Sequence, residues 1–257
     1  NMLVTKLSRF FYHIFTYLVL PLLILHLILR SASDRRYINR IEERFGFYEK
    51  ENEKQTIWVH AVSYGEVNAA QTLVSSLLNE NPNHQVIFTC TTPTGSALIE
   101  ELFKDKVINV YLPYDLKGPV KRFFQWAKPK VAIIIETEIW PNIFHYCGRK
   151  EIPLILASAC ISDDSMRKYS FLFGLFKDSV SQGIVVASQT EEDAQKFISL
   201  GAKKERTFVT GNLKFDIEIN LSSSMDADIF RNEIINKRFS WTAGSTHEGE
   251  EVEAIMA

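Results

Sequence analysis

Cysteine is scarce in this chain. Cys90, Cys147 and Cys160 are the only three, and none belongs to a CxxC pair. That spacing excludes a disulfide framework and zinc-ligand geometry, and it fits a reducing compartment. The six histidines include no HExxH and no pair at helical spacing, so no structural metal is expected. A dominant charge sign is also missing. The net charge of −2 argues against nucleic acid as a partner of the whole surface. No internal repeat or low-complexity tract is visible, which sets aside solenoids and disordered linkers. No GxGxxG follows the first apolar strand, which disfavours a dinucleotide-dependent oxidoreductase.

The chain has 257 residues, 46% of them hydrophobic. That is enough for a sizeable core in one large or two smaller domains. Phe10 to Leu29 contains no Asp, Glu, Lys or Arg, and as a helix it would be about 30 Å long, the thickness of a bilayer's hydrocarbon core. We read residues 1–33 as a membrane-anchor helix. Pro21 should kink it, and His13 and His26 favour a tilted or interfacial placement as a rival to a full span. A signal peptide is the other rival, with Lys6 and Arg9 as its n-region, but the run exceeds the usual apolar core of such peptides. Arg30, Arg35, Arg36, Arg40 and Arg44 follow the run. By the positive-inside rule they put the main body in the cytoplasm, and the same arginines could touch anionic lipid, although Glu42 and Glu43 partly neutralise the group.

From Gly46 onward short apolar runs alternate with amphipathic stretches. The runs Ile57–Val62, Gln85–Cys90, Asn109–Leu112, Val131–Ile135, Leu154–Ala157 and Gly183–Ala187 are strand candidates. Val67–Asn79, Gly95–Phe103, Gly118–Trp126 and Glu191–Leu200 are helix candidates. Strands apolar on both faces and separated by helices predict an α/β fold with a parallel sheet, Rossmann-like, over residues 34–220. Residues 221–257 open with a polar break and read as a linker and the start of a second, incomplete α/β domain. Asn1 standing before Met2, and a last residue inside an expected helix, suggest a fragment.

In a parallel sheet the strand ends share one edge, so the polar loops after them can converge. Four such loops stand out: Ser63–Glu66, Thr91–Ser96, Glu136–Asn142 and Gly211–Asp216. The first, in IWVHAVSYGEVNAA, puts Glu66 beside a helix start, where a carboxylate can act as a base or simply complement the helix dipole. In ETEIWPN, Glu136 and Glu138 are two carboxylates at a strand end, costly there unless partnered. Lys214 in TGNLKFD and the Gly244-Ser245-Thr246 turn are weaker candidates for anion contacts.

Taken in order, HAVSYGE, TPTGS, VYLPYD, ETEIWPN, SQTEEDAQKF, TGNLKFD and GSTHEGEE resemble the 3-deoxy-D-manno-octulosonic acid (Kdo) transferases of lipid A biosynthesis. The likeness covers nearly the whole chain and the first half or so of the family's length. It implies a GT-B-type glycosyltransferase whose N-terminal domain receives the acceptor. The donor would be CMP-Kdo, the acceptor a lipid A precursor (lipid IVA), the partners membrane lipids, with no cofactor and no metal. It implies Glu66 as general base. Acceptor contacts would come from Ser63, Gly65, Thr94, Gly95, Glu136 and Glu138, and donor contacts from Lys214, Ser245, Thr246, His247 and Glu248. Tyr64 stands where small or aliphatic residues are common in the family. The alternatives are a nucleotide-sugar epimerase of similar architecture, and a membrane-tethered module that binds the lipid A precursor without transferring to it.

Overall fold

A computed structural model describes residues 2–49, 54–171, 183–216, 231, 241, 246 and 249–256. The chain divides into two units, Asn1–Ile217 and Glu218–Ala257.

Helix α1 (Met2–Ser33) comes first and continues through Pro21. Two short 3-10 turns follow, at Arg35–Tyr37 and Ile41–Phe45. Then come β1 (Thr56–His60), α2 (Tyr64–Ala69), α3 (Gln71–Glu80), β2 (Gln85–Cys90), α4 (Pro93–Phe103), β3 (Val107–Tyr111), α5 (Lys117–Ala127) and β4 (Pro129–Ile135). The unit ends with α6 (Pro141–Arg149), β5 (Leu154–Ala159), α7 (Asp163–Phe171), β6 (Val185–Ser188), α8 (Glu191–Ser199) and β7 (Thr207–Val209). In the second unit α9 (Glu250–Met256) is described, with the Thr246 hydroxyl donating to Glu251 at 2.7 Å.

The strands form one parallel sheet in the order β3-β2-β1-β4-β5-β6-β7. Alternate residues feed two cores. Trp58, Ile87, Ile134, Leu156 and Val186 face one layer, where Trp58 meets Phe123 edge-on with ring centroids 4.8 Å apart. Val59, Val86, Phe88, Ile133 and Ile135 face the other, against α2, α3 and α4. Every residue of β1 is buried, the mark of a strand covered on both faces.

The edge strand β3 is sheltered by the turn at Ile41–Phe45. Glu43 accepts the Tyr111 N–H at 2.8 Å, and Arg40 donates to the Asn109 carbonyl at 2.8 Å. Side chains thus occupy backbone groups that an exposed edge would offer to another chain.

Several expectations need correction. The helix expected over Val67–Asn79 is two helices, Tyr64–Ala69 and Gln71–Glu80, which meet at Ala70. The strand expected to start at Gly183 starts at Val185, since Gly183 has φ +90° and lies in a turn. Three elements, α6, α7 and β7, were not expected. The helical stretch expected to reach Lys237 and the strand expected at Phe239–Ala243 lie outside the described residues, apart from Arg231 and Trp241.

Candidate active site

After β1, β2 and β3 the chain has moved outward to one edge, and β4 then returns to pair with the other side of β1. The reversal leaves a crevice at the carboxyl ends of β1 and β4, the place where open α/β sheets bind ligands. Glu66 follows β1, and Glu136 and Glu138 follow β4, so the three flank it. They line one cleft of about 240 Å³ with Thr137, Cys160, Ile161, Ser162 and Ser165.

Ser63 is the N-cap of α2 but makes no side-chain cap bond. Glu66, three residues on, reaches back instead: the Val62 N–H donates to its Oε2 at 2.6 Å and the Ser63 hydroxyl to its Oε1 at 3.2 Å. This is the reciprocal half of a capping box, shifted one residue outward. The side chain is half-buried and faces the cleft, so capping and chemistry are both open to it. Burial pushes the Glu66 carboxyl above its ordinary pKa, with Glu136 adding to the rise, while the Val62 N–H and, more weakly, Lys214 oppose it.

Glu136 sits at φ +58°, in the left-handed region, a conformation that costs a non-glycine residue about 1–3 kcal/mol and that often marks functional sites. There its carboxylate meets the Lys214 ammonium at 2.8 Å. Glu138 has no hydrogen bond or ion pair among the described residues, and its pKa is pushed up to about 7 by burial and by the charges of Glu66 and Glu136. Three carboxyl groups lining one cleft cannot all ionise cheaply, and the one without a partner retains its proton longest.

The loops are tied to each other at this edge. Thr137 donates to the Cys160 carbonyl and accepts the Cys160 N–H at 3.1 Å, joining the ends of β4 and β5. Within β5 the register shifts between Ala157 and Ala159, and Ser158, at φ +56°, turns its hydroxyl to accept the Leu213 N–H at 3.2 Å. The register shift thus gives the residue before Lys214 a hydrogen-bond partner at the end of β5. Asp115, buried after β3, accepts the N–H groups of Asn142 at 2.9 Å and Ile143 at 3.0 Å and fixes the start of α6. Its carboxyl is raised to about 6 by burial.

Of the residues singled out from sequence, Glu66, Glu136 and Glu138 meet in the cleft, and Lys214 joins them. Gly95 packs against Ser63: a β-carbon there would lie 3.5 Å from the Ser63 carbonyl carbon and 3.0 Å from Thr92 Oγ1. Gly65 faces open space, and the Thr94 hydroxyl is exposed, 3.4 Å from Thr92 Oγ1. Thr246 is an exposed residue of the second unit, whereas Ser245, His247 and Glu248 lie outside the described residues. Sequence reading missed Cys160, Ile161, Ser162 and Ser165, and within the Glu136–Asn142 loop it did not single out Thr137. Cys160, Ser162 and Ser165 follow a strand that was itself expected, so the loop after β5 was available as a fifth candidate.

Comparison with known proteins adds to the geometry. Residues 39–217 match the family model described as 3-deoxy-D-manno-octulosonic-acid transferase (kdotransferase). A 3-deoxy-D-manno-octulosonic acid transferase of Haemophilus influenzae is 36% identical over 245 residues, 95% of this chain and 57% of the relative. One of Bordetella pertussis is 36% identical over 168 residues, covering 63% of this chain and 38% of the relative. The chain thus spans little more than half of the first relative's length. Among solved structures, a UDP-GlcNAc 2-epimerase from Neisseria meningitidis aligns with TM-score 0.48 at 12% identity, over 72% of this chain and 53% of that one.

Proposed function

The chain belongs to the 3-deoxy-D-manno-octulosonic-acid transferase family, and from that premise we propose that the full-length protein transfers Kdo from CMP-Kdo to a lipid A precursor, lipid IVA, with inversion at the anomeric carbon. The observation that carries the reading is the position of Glu66, half-buried and facing an open cleft at the point where the strand order reverses.

Glu66 takes the proton from a primary sugar hydroxyl of the acceptor. The freed oxygen attacks the anomeric carbon of Kdo, and CMP departs from the opposite face with the bonding electron pair. Oε2 of Glu66 is held by the Val62 N–H, while Oε1 has only the longer bond from Ser63, so Oε1 retains lone-pair capacity for the substrate. The upward shift of its pKa makes the carboxylate a stronger base, and a positioned base contributes about 10²–10⁴-fold in rate. Glu138, protonated in part at neutral pH, can donate a hydrogen bond to a sugar oxygen. Ser63, Gly65, Thr94, Gly95 and Glu136 complete the acceptor side in this reading.

Lys214 adds positive charge where the CMP phosphate leaves, with Ser245, Thr246, His247 and Glu248 on the donor side, so the reaction proceeds without a resident metal. Helix α1 keeps the protein on the cytoplasmic face of the inner membrane, where the acyl chains of the acceptor are embedded and its local concentration is high. In this reading the 257 residues supply the acceptor half of a GT-B pair and need the rest of the relatives' length for turnover.

The test is product analysis by mass spectrometry after incubating the full-length protein with CMP-Kdo and lipid IVA. A mass increase of one or more Kdo units supports the proposal, and recovery of unmodified lipid IVA from a folded protein rejects it.

A further inference from the structure

Helix α1 is bonded to the α/β domain near the start of its apolar run and is joined to it through the chain at the other end. Close to its start the Tyr12 hydroxyl donates to Asp115 Oδ2 at 2.7 Å, His13 Nε2 lies 2.8 Å from Asn142 Oδ1, and Arg9 reaches His145. At its far end the chain passes through the turn at Arg35–Tyr37 into the turn bonded to β3. Between His13 and Arg30 a straight helix advances about 26 Å, nearly the thickness of a hydrocarbon core.

Exposure along α1 divides with the helical period. Phe11, Phe15, Leu18, Leu22, Leu25 and Leu29, spaced by four and three residues, are 50% to 71% exposed. On the opposite side His13, Thr16, Leu20 and Ile24 are half-buried and Leu27 is only 6% exposed. A less exposed stripe that recurs at the helical period from His13 to Leu27 describes a helix with one side turned toward the rest of the protein.

A helix crossing the bilayer could not meet one domain at points so far apart unless that domain also entered the hydrocarbon. The loops and helix ends of an α/β unit cannot do so, because their backbone groups would have no water to bond. Resting on the reading of α1 as the membrane element, we propose that it is interfacial. It lies in the plane of a single leaflet, with the Phe11–Leu29 stripe among the acyl chains and the opposite side fastened to the carboxyl edge of the sheet.

The charges agree with this orientation. Lys6 and Arg9 precede the run and Arg30, Arg35 and Arg36 follow it, so both ends carry cations that suit the same plane of anionic headgroups. Asp115 bonds Tyr12 and the start of α6 together. The loop before α6 carries Glu136 and Glu138. Tyr12 and His13 are thus positioning residues, setting the height and tilt of the cleft above the leaflet.

The test uses the full-length protein in sealed vesicles of defined orientation, with Cys160 replaced by serine. Leu7→Cys and Ser33→Cys are labelled with a membrane-impermeant maleimide. The proposal expects both positions to react from the same side only, and labelling from opposite sides overturns it. Recovery of the protein in the soluble fraction overturns the membrane reading beneath it, a separate and recognisable outcome. Tyr12→Phe is the second variant. It should raise KM about tenfold for lipid IVA embedded in vesicles and leave transfer to detergent-dispersed lipid IVA unchanged. An equal loss in both assays overturns the positioning role.

Discussion

The ammonium of Lys214 stands 2.8 Å from the carboxylate of Glu136, joining the segment after the last strand of the α/β domain to the end of its fourth strand. The pair puts a cation beside the cleft, where its charge acts on Glu136 and on Glu66.

Replacing Glu66 with glutamine in the full-length protein should lower transfer about 10²–10⁴-fold. The amide oxygen can still accept the Val62 N–H, so thermal stability should change little. Steady-state kinetics beside a melting curve separates the two effects, and near-normal turnover would exclude Glu66 as the base.

Lys214→Met should move the acid limb of the pH–rate profile to higher pH. Lys214 favours the ionised form of Glu66, and without it the carboxylate is harder to form, so Glu66 remains protonated to a higher pH. A limb that stays in place would mean that Glu66 does not govern it.

Glu138→Gln should stabilise the fold, and more at pH 8 than at pH 4.5. The folded pKa of Glu138 is raised to about 7, above its unfolded value. Its contribution to stability is therefore fully present below the unfolded pKa and is lost as pH rises toward 7. The variant has no such loss, and its advantage should grow over that window to about 3 kcal/mol and then level off above the folded pKa. Denaturant melts of both proteins across the pH range measure it.

Gly95 and Gly65 should respond oppositely to a side chain. Gly95→Val forces atoms against Thr92 and the Ser63 backbone and should cost about 1–3 kcal/mol by overpacking. Gly65→Ala meets nothing within 4 Å and should gain up to about 1 kcal/mol from helix propensity. If Gly65→Ala is stable yet transfers poorly, the open space at that position belongs to the acceptor.

Local sequence was enough to specify much of this molecule. Short apolar runs such as Gln85–Cys90, with β-branched and aromatic residues, read as strands covered on two faces, and Val86–Cys90 are all buried, while helices such as Glu191–Ser199 announce themselves by their caps. Such signals lie within a few residues of each other, so a linear reading finds them. The α6 helix escaped because ETEIWPN reads as a loop, and its start is held by Asp115, a residue from another strand end.

Tertiary structure alone decided how the candidate residues relate. The return of β4 to the side of β1 makes Glu66 and Glu136 neighbours. Lys214, far away in the chain, pairs there with Glu136, and the neighbouring Leu213 is bonded to Ser158. The apolar run marks a helix long enough to cross a membrane, but only the fold brings its Tyr12 to Asp115 and its His13 to Asn142. The reason is physical: periodicity and caps are set by neighbours along the chain, whereas ion pairing, desolvation and orientation are set by groups that meet only after folding.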